Sequence, residues 1–301
     1  MRAYFLWLAK FITIVVLLVV VLPLLLSAIA AVVDNTSDSG SSHLSVAVIE
    51  MNGMITDSKE TLEQLHKQIS NDKVKGIVLR VDSPGGAVGP SQEIFSAVQR
   101  LKKEKPIVVS MGSVAASGGL YVSLAASKIY CQPGTITGSI GVILQVPNFT
   151  KIASQVGVEM VTVKSGKLKD VGNTFRPMTD EEREFLQGTV NESYTAFVQA
   201  VVDGRGIPRE KVLQFADGRI ILGSKAVELG LVDGFGDVYD AARTVFELAG
   251  TPLKETEHPK LIYPAEKFAE VKRLLGTVSS IGSMLSEASH ASAPRMQYLM
   301  N

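Results

Sequence analysis

Histidine is scarce in this chain: there are four in 301 residues, His43, His66, His258 and His290. None falls between His66 and His258, where the glycine-rich turns lie. A Ser-His-Asp triad would have to borrow its imidazole from the edges of the domain. The single cysteine, Cys131, excludes an intrachain disulfide and a cysteine-built zinc or iron–sulfur site, and it reads as a small buried residue. Net charge is also absent, because 30 Lys and Arg balance 30 Asp and Glu. That argues against nucleic-acid binding through a global basic field. No G-x-x-x-x-G-K-[ST] phosphate loop occurs. The glycines of Ser83-Pro84-Gly85-Gly86-Ala87-Val88-Gly89 do not fit the dinucleotide pattern G-x-G-x-x-G. Neither a metal nor a cofactor is expected.

What is present is apolar. The chain is 46% hydrophobic and 20% charged, which excludes a mainly disordered protein, and its mean hydropathy is +0.22. Much of the excess is one run, Phe11 to Val33, without a charge. As a helix it would be about 34 Å long, enough to cross a bilayer. Arg2 and Lys10 precede it, Asp34 and Asp38 follow, and no further Lys or Arg comes before Lys59. The positive-inside rule therefore expects residues 1–10 in the cytoplasm, an anchor over 11–33 and an extracytoplasmic remainder. Ala28-Ile29-Ala30 resembles a signal-peptidase site, but the run is longer than a signal peptide's apolar core. Without residues 1–33 the chain has two more acids than bases. Residues 34–43 (DNTSDSGSSH) read as a flexible linker.

A folded domain is expected over 44–250. Strand-like runs at Ser45–Ile49, Ile77–Val81, Ile107–Met111, Lys128–Cys131 and Met160–Val163 alternate with helical patterns at Thr61–Ile69, Ser91–Lys103, Ala115–Ala126 and Asp180–Val202. Thr179 and Glu182 form a capping box for the last helix, and shorter helices follow to Leu248. This alternation predicts an α/β domain with largely parallel sheets and surrounding helices. In the extension 251–301, Phe268, Val271, Leu275, Val278, Ile281 and Leu285 make one apolar helical stripe, and a frayed end is expected from Glu287.

Two glycine-rich turns follow apolar strands: Asp82-Ser83-Pro84-Gly85-Gly86 and Ser113-Val114-Ala115-Ala116-Ser117-Gly118-Gly119. Strand ends of a parallel sheet are where α/β proteins place their sites. Adjacent glycines let backbone N–H groups approach a ligand oxygen, so one donor from each turn would make an oxyanion hole. Ser117 opens a helix, a position that favours developing negative charge. Asp82 reads as a turn or cap residue. Without histidine, a serine needs another base, and a lysine serves if burial lowers its pKa. The segment Lys164-Ser165-Gly166-Lys167-Leu168-Lys169-Asp170 supplies three lysines, and spacing alone does not choose among them.

Ser83-Pro84-Gly85-Gly86, Ala116-Ser117-Gly118-Gly119, Thr137-Gly138-Ser139-Ile140-Gly141 and Ser165-Gly166-Lys167-Leu168-Lys169-Asp170 occur in this order. Together with Gly218-Arg219 and Ala226–Asp233 they resemble the signal peptide peptidase A family, membrane-anchored serine proteases of the ClpP/crotonase-like superfamily. The chain is similar to the short, single-repeat form. The resemblance implies Ser117 as nucleophile, Lys169 as general base, Ser139 as the serine that orients the lysine, and the N–H groups of Gly86 and Gly118 as the oxyanion hole. It also implies apolar signal peptides as substrates, bound as extended strands. The assembly implied is a ring-like homo-oligomer, with serine and lysine drawn from neighbouring subunits. The rival readings are a sister Ser-Lys protease acting on specific membrane proteins, an acyl-CoA hydratase-like enzyme, and an inactive membrane-tethered scaffold.

Overall fold

The structure, a computed structural model, describes Trp7, Lys10, residues 45–264 and the backbone of 296–299. It divides into a unit Met1–His43 and a unit Leu44–Asn301. Among the described residues no helix is long and apolar enough to cross a membrane. The run 11–33, the linker 34–43 and the stripe 268–285 lie outside them.

The core of the larger unit is a parallel sheet. β1 (Ser45–Asn52), β2 (Val74–Ser83) and β4 (Ile107–Ala115) lie side by side in parallel. β5 (Lys128–Cys131) and β9 (Gly234–Phe235) continue the sheet beyond β4, and β10 (Leu261–Ile262) closes the far edge on β1. The strand sequences are apolar almost throughout because both faces are covered. Val46, Val48, Val78 and Val108 pack with Ala241, Ala242, Val245 and Phe246 of α8 (Val238–Leu248). The alternate residues Ala47, Ile49, Ile77, Leu79, Ile107 and Val109 point to the other face. There α1 (Lys59–Ile69), α2 (Val88–Leu101) and α3 (Gly118–Ser123) contribute Leu65, Ile94, Val98 and Leu120. This two-residue alternation between cores is the periodicity of a strand.

The long helix α5 (Asp180–Arg205) opens with the expected capping box: Glu182 N–H donates to Thr179 Oγ1 (3.2 Å) and Thr179 N–H to Glu182 Oε2 (2.9 Å). Its inner end carries Phe197, Val198 and Val201 into the core. The C-terminal end is tied down by polar contacts. Arg205 Nε donates to Gly230 O (2.9 Å), and Arg205 Nη1 lies 3.0 Å from Asp233. Asp233 also accepts from Ile129 N–H (2.8 Å) and pairs with Lys128 (3.0 Å). Burial alone would push this carboxyl up, but the Arg205 and Lys128 hydrogen bonds hold it below the usual range. A folded value below the unfolded one adds stability above the unfolded pKa, and that contribution is lost as pH falls. Asp233→Asn is therefore expected to cost about 2 kcal/mol near pH 7. The difference in melting temperature from the wild type should close below about pH 4, which a thermal melt series across pH checks.

Two local expectations are corrected. Met160–Val163 is no strand. Val161 and Val163 are 79% and 95% exposed, so the β-branched residues have no sheet edge to join. The segment Ala115–Ala126 is strand through Ala115 and helix only over Gly118–Ser123, because β4 stays paired with β2 as far as Ser83↔Ala115. In addition, the C-terminal end is not frayed over Met296–Leu299, which forms a strand, β11.

Candidate active site

Parallel pairing of β2 and β4 sets their C-terminal turns side by side, where Ala116 N–H donates to Ser83 O (3.0 Å). Asp82 fills the irregularity between these strands, its Oδ1 accepting from Val114 N–H (3.0 Å), which is a structural role. After β2 the chain forms β3 (Gly85–Ala87), pinned from its outer side by Ile55. Ile55 N–H donates to Gly85 O (2.9 Å), and Ala87 N–H to Ile55 O (2.8 Å). After β4 comes Ser117, with φ 52° and ψ −114°. Only glycine adopts such a positive φ at little cost, so the strain marks a backbone held in place by its neighbours. Ser117 N–H donates to Gly138 O (2.9 Å), and Tyr121 N–H to Ser117 O (2.8 Å).

Ser117 is fully buried, and its Oγ has no hydrogen-bond partner among the described residues. A buried hydroxyl without a partner costs free energy and calls for a functional explanation. The next residue, Gly118, is the first of α3, so its N–H has no acceptor within that helix. A Cβ on Gly118 would lie 3.1 Å from Gly86 N, so the two glycine turns converge beside the serine. The contact with Gly138 brings Ser139 next to Ser117. Ser139 is 6% exposed and also has a positive φ, 50°. It follows β6 (Ile136–Gly138), which pairs with β4 and with β8 (Ile220–Leu222), and Ser139 N–H donates to Arg219 O (2.8 Å). Four of the five expected site residues are thus gathered.

Lys169 is not among them. It lies in an exposed turn beyond α4 (Thr150–Gln155), and no hydrogen bond joins it to Ser117. The three lysines of this turn differ in their surroundings. Lys164 is paired with Asp170 and also donates to Lys167 O (2.9 Å). Lys167 is paired with Glu181. The Lys169 ammonium has no partner among the described residues. The stretch leading to the turn exposes apolar side chains, with Ile152, Val156, Val161 and Val163 each more than 60% exposed.

A strand-shaped slot borders the serine. β11 lies antiparallel between β3 and β7 (Ile143–Leu144), with Tyr298 opposite Gly86, Leu299 opposite Gly85 and Gln297 opposite both Ala87 and Ile143. The chain's own tail thus runs along the strand that carries Gly86. Beside Ser139 and β7 opens a cavity of about 490 Å³, lined by Ile140, Val142, Ile143, Tyr194 and Leu213 among others.

Residues 99–251 match the model of peptidase family S49, and residues 34–136 match that of Clp protease. A Synechocystis protein named as a candidate protease is 39% identical over 79% of this chain and 86% of its own length. A candidate signal peptide peptidase SppA of Enterococcus faecium is 33% identical over 89% of this chain and 84% of its own length. The chloroplastic serine protease SPPA of Arabidopsis thaliana is 30% identical, and the match covers 75% of this chain and 33% of that protein. The chain belongs to the signal peptide peptidase A family, peptidase family S49. It is a serine protease of the SppA type on a ClpP-like domain.

Two features of this S49 site escaped the sequence reading. One is β11, whose partners are more than 150 residues away in the chain. The other is Arg176, which joins Asp170 to Glu182. In the sequence Glu182 shows only as a capping residue, and no local pattern marks its second bond.

Proposed function

We propose that this SppA-type protease is a membrane-anchored endopeptidase that degrades signal peptides after their release, using Ser117 and Lys169 from neighbouring subunits. The observation that carries the reading is the strained, buried Ser117, whose unpartnered Oγ lies where the Gly86 and Gly118 turns converge. Lys169 takes the hydroxyl proton as Oγ attacks the scissile carbonyl. The N–H groups of Gly86 and Gly118 hold the oxyanion, each worth about 3–4 kcal/mol in the transition state. Lys169 returns the proton to the leaving amine, and water resolves the acyl-enzyme. Ser139, beside the nucleophile, orients the lysine.

Within one chain the dyad is incomplete, and the apolar arm that carries Lys169 is exposed. Both favour a ring-like homo-oligomer in which the arm is covered by the next copy. The anchor expected over 11–33 holds the catalytic domain at the extracytoplasmic surface, near membrane-derived peptides. Such peptides suit the slot between β3 and β7, where main-chain pairing supplies affinity and the neighbouring apolar cavity takes a side chain.

The test is cleavage of an apolar signal-peptide-like substrate by purified full-length protein. Cleavage lost on dissociating the oligomer supports the reading. A wild type that ignores signal peptides but cuts a defined membrane protein would instead make it a sister protease of different substrate.

The tail competes for the same slot. A linked segment acts at an effective concentration in the millimolar range. A variant ending at Arg295 is therefore expected to show a several-fold lower KM for peptide with kcat unchanged, readable from initial-rate kinetics.

A further inference from the structure

The turn that carries Lys169 has little to hold it in place. Its backbone bonds are local: Lys169 N–H to Gly166 O (3.1 Å), Val171 N–H to Leu168 O (3.2 Å) and Asn173 N–H to Asp170 O (3.0 Å). Residues 158–167 are all exposed, and no strand or helix includes residues 164–173. A general base must nevertheless sit within hydrogen-bond reach of the hydroxyl it deprotonates. A lysine stem is flexible over four carbons, so the reach of its ammonium depends on where its own backbone is held.

Beside the exposed Lys167–Glu181 pair, that backbone is tied to the body through its half-buried neighbour, Asp170. Arg176 Nε donates to Asp170 Oδ2 (3.0 Å), and Arg176 Nη2 reaches Asp170 O (3.3 Å). The other edge of the same guanidinium forks onto Glu182, with Nη1 to Oε2 at 2.8 Å and Nη2 to Oε1. The Glu182 side chain is only 4% exposed, and it is also the capping-box residue of α5, the helix rooted in the core by Phe197 and Val201. A planar guanidinium can bridge two carboxylates in this way, and a lysine ammonium cannot reproduce the fork. Hydrogen bonds from Arg176 hold both carboxyls low, Glu182 at about 2, so the bridge stays charged across the neutral range.

We propose that Arg176 is a positioning residue for the general base, bridging Asp170 to Glu182 so that the Lys169 backbone is fixed relative to the start of α5. This rests on the reading of Lys169 as the base. Neither Arg176 nor Asp170 bonds to Ser117. Their contribution lies in geometry, where a displacement of about 1 Å can cost up to about 100-fold in rate.

The experiment compares Asp170→Ala, Arg176→Ala and Lys169→Ala in the full-length oligomer, with kcat and KM on an apolar peptide, thermal melts and sedimentation. Asp170→Ala removes the side-chain half of the link and leaves only the 3.3 Å bond to the Asp170 carbonyl, with the Arg176–Glu182 pair intact, so it keeps the test open if Arg176→Ala, which strands a buried carboxylate, fails to fold. The expected result for either folded variant is a kcat lower by about 10- to 100-fold, with KM within about twofold and the oligomer intact. Added guanidinium at millimolar concentration should restore part of kcat to Arg176→Ala and none to Lys169→Ala. A merely structural arginine would not give that rescue. Wild-type kcat in Asp170→Ala, or a loss that only tracks the fraction folded, overturns the proposal. If Lys169→Ala is inactive while both other variants are fully active, this inference alone falls. If Lys169→Ala itself stays active, the dyad reading falls and takes the inference with it.

Discussion

Mixing Ser117→Ala with Lys169→Ala is expected to regenerate activity that neither variant has alone. Each single variant should lose at least about 1,000-fold in kcat/KM, since nucleophile and base act as one unit. The basis for recovery is that Ser117 is buried where the Gly86 and Gly118 turns converge, whereas Lys169 sits in an exposed turn with no bond to it. If each site takes its serine from one subunit and its lysine from the next, a mixed ring contains interfaces with both intact. In a head-to-tail ring assembled at random from equal amounts, roughly one quarter of the interfaces qualify. Peptidase activity after dissociating and reassembling the two variants together checks this. A mixture as inactive as its components would place both residues in the same subunit. Activity in Lys169→Ala alone would remove Lys169 from the chemistry.

The parts legible in the sequence were those set by local chemistry or by burial on two faces. β1, β2 and β4 are runs of Val, Ile and Leu because the sheet is covered on both sides, and continuous apolarity is the signature of that situation. Helix α5 was legible at its start because Thr179 and Glu182 are three residues apart. The turn at Ser117 stood out because two glycines follow it at the end of such a strand. What failed was whatever depends on a distant partner. Val161-Thr162-Val163 has strand composition, but strand structure needs an edge, and none is offered there. Met296–Leu299 has no stronger pattern, yet it is a strand because β3 and β7 leave a slot of its width. The bridge from Asp170 through Arg176 to Glu182 is invisible for a related reason. Each residue is six positions from the next, a separation with no periodic meaning until the turn brings them together.

Gly86→Ala is expected to abolish peptidase activity in a chain that still folds. The substitution looks mild, and Gly86 does not need a left-handed backbone. The obstacle is space. An added Cβ would lie 2.1 Å from Ile55 O and 2.6 Å from Ile55 C and N, all main-chain atoms that cannot rotate away. Ile55 is held to this strand on both sides of Gly86, through Gly85 O and Ala87 N–H. Relief therefore requires β3 to move away from Ile55, which displaces the Gly86 N–H from the position proposed for it as an oxyanion donor. Loss of one such donor costs about 100- to 1,000-fold in kcat. The same shift distorts the edge on which β11 lies, so KM should rise as well. Overpacking of this kind costs about 1–3 kcal/mol, which a domain of this size survives. Gly89→Ala, three residues on in α2, is the matched control. Its Cβ would meet nothing within 4 Å, and alanine is the better helix former, so its activity and melting temperature should equal or exceed the wild type's. Kinetics and thermal melts of the pair separate the two causes. Loss in Gly86→Ala with a preserved fold locates an oxyanion donor at this turn, and wild-type kcat there would remove Gly86 from the site.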